Sequence, residues 1–194
     1  MSSDGVPGFS SDEDLRKSAV GELRPHNAPI ALADYDPGWP QLFAREAARI
    51  RGVLGDRALL VEHAGSTSVP GLPAKPLIDI VLAVPDSADE PGYVPDLTAA
   101  GYRLTIREPE WFEHRLLKGP DTNINLHVFT TGTPEISRML RFRDWLRSHD
   151  GDRDYYAAAK RDLAGREWRH VQHYAEAKTA VVQEIMARAD AAAS

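Results

Sequence analysis

The 194-residue chain contains no cysteine. That excludes a disulfide scaffold, a cysteine zinc finger, an iron–sulfur centre and thiol catalysis. No apolar run approaches the roughly 18 residues that span a bilayer. The first residues, MSSDGVPGFSSDEDLRK, lack a basic stretch followed by an apolar one, so they do not read as a secretory signal. A cytoplasmic protein without a membrane partner is the expectation. Positive charge is in deficit: 23 Lys and Arg against 29 Asp and Glu leave a net charge of -6. Duplex nucleic acid, which wants a strongly basic surface, is thereby disfavoured as a partner. A local basic pocket for a small phosphorylated ligand stays open. The Gly-x-x-x-x-Gly-Lys-Ser/Thr loop, the Gly-x-Gly-x-x-Gly turn and the Gly-x-Ser-x-Gly elbow are all absent. These absences set aside a P-loop, a nicotinamide dinucleotide fold and a serine hydrolase.

What is present is enough for a core, with 42% of the residues hydrophobic. Residues 1–28, rich in Gly, Pro, Ser and Asp, are expected to be a flexible tail whose loss costs little. Residues 29–189 then form one domain. Leu42, Phe43, Ala47 and Ile50 recur at helical spacing and predict a helix over 40–54. Strands are predicted over 58–63, 77–84, 102–107, 112–118 and 123–130, with a short helix before the third. From Thr133 the period becomes helical, giving helices near 134–148, 152–164 and 167–189. This order describes an α/β or α+β domain with a helical C-terminal half. Nothing in the pattern specifies an oligomeric state.

The most informative stretch runs from Val61 to Val84. A strand ends at His63, and Gly65, Ser66, Thr67 and Ser68 follow. Their backbone N–H groups and hydroxyls are suited to an anion, and Lys75 at the far end of the loop is suited to the same anion as a point charge. Asp79 lies inside an apolar strand, where a carboxylate needs hydrogen bonds, a counter-charge or a metal. Either it shapes the loop, or it holds a divalent cation or a substrate hydroxyl. In NINLHVFT, Ile124, Leu126 and Val128 face one way while Asn123, Asn125 and His127 face the other. His63, His127 and Asp79 would together make a His/His/Asp set suited to a transition metal. Alternation puts Glu113 and Arg115 on one strand face, either towards the cleft or as a surface pair. Arg141 and Arg143 are the candidates for a phosphate clamp. Lys160 lies four residues after Tyr156 and lines the same opening.

The segment VEHAGSTSVPGLPAKPLIDIVLAV resembles the signature of the GrpB family. The likeness extends through DYDPGWPQLFAREAARI, NINLHVF and FRDWLRSH, about residues 28–186. The resemblance implies a nucleotidyltransferase-like mixed sheet flanked by helices, and kinship with a domain fused to some bacterial dephospho-CoA kinases. In that superfamily a Gly-Ser turn precedes a strand with two carboxylates one residue apart, and a third lies on a neighbouring strand. Gly65, Ser66 and Asp79 match; Val81 stands where the second carboxylate would be, and His127 is the polar residue in the third place. The resemblance implies transfer of a nucleotidyl or related group to a small molecule, with Asp79, Glu113 and His127 as catalytic residues. A divalent metal (Mg or Mn, or a transition metal) and a nucleoside triphosphate are the implied cofactors. Tyr174 and Lys178 match a helical Tyr and Lys that close the family's pocket. Two other readings stand beside it: a metal- or ATP-dependent ligation or cyclisation in the same cleft, and a nucleotide- or metabolite-binding module without turnover.

Overall fold

The computed structural model describes residues 10–22, 27 and 29–192. Five strands form one mixed sheet: β1 (Leu60–Ala64), β2 (Ile78–Val84), β3 (Arg103–Glu108), β4 (His114–Lys118) and β5 (Ile124–Thr130), in the order β1-β2-β5-β4-β3. Only β2 and β5 run parallel. The helices are α1 (Asp12–Ser18), α2 (Trp39–Leu54), α3 (Val94–Ala99), α4 (Pro134–Ser148), α5 (Asp150–Ala164), α6 (Val171–Ala177) and α7 (Thr179–Ala192). The architecture is therefore a mixed α/β sheet with a helical C-terminal region. Among the described residues no helix is long and apolar enough to cross a membrane.

Two apolar layers flank the sheet. On one face, Trp39, Ile50 and Leu54 of α2 and Leu97 of α3 pack on Ile80, Leu82, Leu126 and Val128. On the other, Ile136 of α4 covers Ala64, Val81, Ala83 and Phe129. The two-residue period of a strand explains the division, since alternate side chains of β2 and β5 enter opposite layers. Asp79, Asn125 and His127 belong to the second face, at the end of β2 and β5 that α4 leaves uncovered. Val69 and Leu72 of the loop after β1 pack with Leu146, Tyr156, Ala157 and Ile185. That cluster brings the helical half against the open end.

Two sequence expectations change. The single helix expected over 167–189 is two, α6 and α7, which meet at Lys178. The irregular stretch after α5 is held by Trp168, whose indole Nε1 donates to the Leu163 carbonyl at 2.8 Å. Of the segment expected to be a tail, residues 10–22 are described and they pack. Ala19 bridges to Ile106 of β3, and the Val20 N–H donates to the Thr105 carbonyl at 2.8 Å. The Ser10 N–H donates to Glu176 at 2.9 Å, and His170 and Arg169 pair with Asp12. These contacts tie α6, which carries Tyr174, to the edge of the sheet. Removing residues 1–22 is expected to lower the melting temperature by several degrees, in keeping with the loss of a few buried or half-buried contacts from a domain of this size. Thermal unfolding of full-length and truncated chains measures it, and an unchanged midpoint would show that the segment adds no stability.

Candidate functional site

The site begins with a backbone constraint. Gly65 has φ 64° and ψ -173°, a conformation essentially restricted to glycine. A Cβ on Gly65 would lie 2.2 Å from Oδ2 of Asp79. Chain and carboxylate thus touch because there is no side chain between them. Asp79 pairs across β1 with Ala64 and across β5 with Asn125. Asn125 Nδ2 donates to Oδ1 of Asp79 at 2.9 Å, and His127 Nε2 stands 3.5 Å from the same oxygen. About a quarter of the Asp79 side chain remains accessible, so solvent or a small ligand reaches the carboxylate. Burial pushes its pKa up, but His127, Asn125 and the Lys178 charge outweigh burial and hold it below the ordinary value.

Four lysines lie within electrostatic reach of this carboxylate: Lys75, Lys118, Lys160 and Lys178. Lys118 donates to Oδ1 of Asn125, which extends the chain from Asp79. Lys160 donates to the Pro73 carbonyl and lies over the Tyr156 ring, 5.4 Å from its centroid. Lys178 lies 4.5 Å from the centroid of the Tyr174 ring. Burial pushes the pKa of all four down against the pull of Asp79, Lys160 to about 7 and Lys178 to about 8. Burial pushes the Tyr156 hydroxyl's pKa up, with Ser66 and Asp79 among the groups that act on it. The Tyr174 hydroxyl is buried without a hydrogen-bond partner among the described residues. An orphaned buried hydroxyl costs free energy unless something occupies the space it faces.

Several expected residues lie elsewhere. His63 is paired with Ile80, so alternation sends it to the α2 face, where its ring stacks on Phe43 at 4.8 Å. It therefore does not join Asp79 and His127. Among the described residues no three His, Asp or Glu side chains converge as a metal site. Burial, with the charges of Arg147 and Arg143, pushes His63 down to about 4, and its Nε2 bonds Thr67 Oγ1 at 3.0 Å. Thr67 in turn donates to the Leu77 carbonyl, and Ser68 to the Gly65 carbonyl. Gly65 touches Asp79, whereas Thr67 and Ser68 hold the loop's shape. Arg143 donates to Glu62 at 2.7 Å and to the His63 carbonyl at 2.9 Å. Together with Arg147 it borders a separate open depression of about 410 Å³. Arg141 pairs with Asp190 and ties α4 to α7. Glu113 sits in a left-handed turn (φ 51°) and pairs with Arg115 at 3.2 Å. The turn breaks the alternation assumed for 112–118, and His114, not Glu113, enters the site.

Sequence reasoning missed Glu108, His114 and Lys118. Lys118 closes an alternating strand, so its position on the Asn125 side was readable once the β4–β5 register was known. His114 and Glu108 carried no local signal, because a bulge between Leu104 and Ile106 shifts the register that brings them together. Gly65→Ala is expected to cost about 1–3 kcal/mol from its backbone conformation, with the clash against Asp79 added. Gly52→Ala, in α2 with open space at its Cβ, is expected to be neutral or stabilising. Urea unfolding of the two variants gives the comparison, and equal midpoints would remove the close packing from the account.

Residues 29–188 match the family model described as GrpB protein. A UPF0157 protein of Halalkalibacterium halodurans is 68% identical over 181 residues, covering 93% of each chain. One from Streptomyces coelicolor is 43% identical over 168 residues, covering 87% of this chain and 88% of that one. A dephospho-CoA kinase of Mycolicibacterium paratuberculosis is 31% identical over 188 residues, which cover 84% of this chain and only 46% of the kinase. The crystal structure of the conserved protein GrpB from Enterococcus faecalis superposes with a TM-score of 0.68 at 31% identity, covering 82% of this chain and 96% of that one. With the Gly65 turn, the Asp79 strand and the helical half all inside the matched span, the chain belongs to the GrpB family.

Proposed function

We propose that the cleft around Asp79 binds the phosphate of a nucleotide or another phosphorylated small molecule. The reaction it serves is a nucleotidyltransferase-like group transfer. The observation that carries this reading is the set of four lysines within electrostatic reach of one carboxylate, inside a chain whose net charge is -6. Burying like charges together opposes folding unless a ligand supplies the counter-charge. Phosphate oxygens do so, and they also accept from hydroxyls such as those of Ser66 and Tyr174.

A pair of divalent cations does not fit the residues present. Val81, where a second carboxylate would stand, is fully buried among Ala64, Ala83, Phe129 and Ile136. Asp79, Asn125 and His127 do not amount to the paired carboxylates that two cations share. In this reading the lysines neutralise the ligand's charge, Asn125 aims Lys118 and the carboxylate, and Asp79 accepts from a ligand donor. Ser66 and the Gly65 turn give the ligand a close approach to the backbone.

Calorimetric titration with ATP, CTP, GTP and UTP, in Mg²⁺ and in EDTA, tests it. Saturable binding that persists in EDTA is expected, and Lys178→Met is expected to weaken it at least tenfold, about 1.4 kcal/mol. The anion favours protonated lysines, so binding takes up protons and weakens as pH rises through about 7 and about 8. No binding of any nucleotide, or affinity indifferent to both pH and Lys178, would overturn the reading.

The same lysines give a stability prediction. Their folded pKa values lie below the unfolded ones, so the unfolded chain holds more protons. Stability of the ligand-free protein is then expected to rise with pH from about 7 towards the ordinary lysine range near 10. Lys178→Met, which removes the buried charge, is expected to stabilise the ligand-free protein at neutral pH by on the order of 2 kcal/mol. Denaturant midpoints at several pH values check both, and a destabilised Lys178→Met would refute the second.

A further inference from the structure

A line of four side chains runs from the surface to the cleft. Oε2 of Glu108 lies 2.6 Å from Nδ1 of His114; Nε2 of His114 lies 3.1 Å from Nδ1 of His127; Nε2 of His127 lies 3.5 Å from Oδ1 of Asp79. Glu108 is about one-third exposed, whereas His114 is buried. The His114 ring is packed on Phe129, 4.8 Å between centroids, and meets the edge of Trp111 at 5.0 Å. That packing fixes its plane.

Counting hydrogens assigns the roles. Three contacts need three hydrogens, the carboxylates at the two ends only accept, and two neutral imidazoles carry one hydrogen each. One contact therefore has none to spare. The 2.6 Å and 3.1 Å contacts have hydrogen-bond lengths, whereas 3.5 Å is the outer limit. His114 thus donates from Nδ1 to Glu108, and its bare Nε2 accepts from Nδ1 of His127. The vacant place falls between Nε2 of His127 and Asp79, facing the cleft.

We propose that Glu108 and His114 are positioning residues that hold His127 as a general base, with its unprotonated Nε2 turned towards a hydroxyl or amine of the ligand. The ligand O–H or N–H bond breaks, its electron pair stays on the ligand atom, and the proton joins Nε2. The resulting imidazolium is paired with the Asp79 carboxylate at one nitrogen and with His114 at the other. An acceptor activated in this way is a nucleophile for attack on a phosphoryl centre. The neighbouring charges are Arg115 beside His114, and Lys75, Lys118, Lys160 and Lys178 around Asp79. The identity of the acceptor rests on the phosphate-binding reading above, but the tautomer does not.

Long-range ¹H–¹⁵N spectra of the histidine rings in the ligand-free protein at about pH 9, where unperturbed imidazole is neutral, read the tautomer directly. The wild-type chain is expected to show His114 and His127 both protonated at Nδ1, with His127→Asn supplying the assignment. Glu108→Ala removes the acceptor and is expected to return His114 to the Nε2–H form and to remove the Nδ1–H of His127. Glu108→Gln, whose amide oxygen still accepts, is expected to retain the wild-type pattern. A hydrogen on Nε2 of His127 in the wild-type protein, or an unchanged pattern in Glu108→Ala, would overturn the proposal. Both outcomes are independent of whether nucleotide binds.

Discussion

The contact between the Gly65 backbone and the Asp79 carboxylate organises the rest of the molecule. A carboxylate in an apolar strand must be met by donors or charges, and the only space for it lies where the chain turns without a side chain. Asn125, on the parallel neighbour of β2, supplies a donor, and His127 on the same strand stands 3.5 Å away. Lysines from the loop, from β4, from α5 and from the junction of α6 and α7 supply the charges. Four separate segments of the chain therefore converge because one acidic group is placed where few sequences would tolerate it.

The balance of charge at this point is what motivates the proposed ligand. One carboxylate cannot neutralise four ammonium groups, and burial already pushes each of them towards its uncharged form. The Tyr174 hydroxyl, buried without a hydrogen-bond partner among the described residues, is a further unsatisfied polar group, on α6. In the proposed reading a phosphorylated ligand supplies the missing counter-charge, so that stability given up in the empty site is recovered on binding. The structural carboxylate Glu46 offers the contrast. It is fully buried, but accepts from Tyr102 at 2.7 Å and Thr122 at 2.9 Å and lies beside Arg49. Its needs are met within the protein, and no cleft opens over it.

Much of this was legible beforehand. The alternation of 123–130 placed Asn125 and His127 on one strand face, and the apolar run of 77–84 singled out Asp79, because strand period is a local property. The Gly65–Ser66 turn was legible for the same reason, as was the helical start at Pro134. Lys160 and Lys178 were singled out, and both lie within electrostatic reach of Asp79. His63 was grouped with Asp79 although the register with Ile80 sends it to the opposite face. Arg141 and Arg143 looked like a clamp, but partners distant in sequence, Asp190 and Glu62, claim them. Helical spacing says which side chains share a face and does not say what that face meets.

The sequence by itself determined the elements, the acidic residue that had to be explained, and the family to which the chain belongs, since these follow from local periods and from a long contiguous motif. Only the tertiary structure decided the company that residue keeps. The β-bulge between Leu104 and Ile106 and the left-handed turn at Phe112 and Glu113 set the register that carries Glu108 and His114 into line with His127. The docking of α5, α6 and α7 on the loop after β1 brings Lys160 and Lys178 to the same carboxylate. Those meetings depend on contacts between residues far apart in the chain, and no local pattern encodes them.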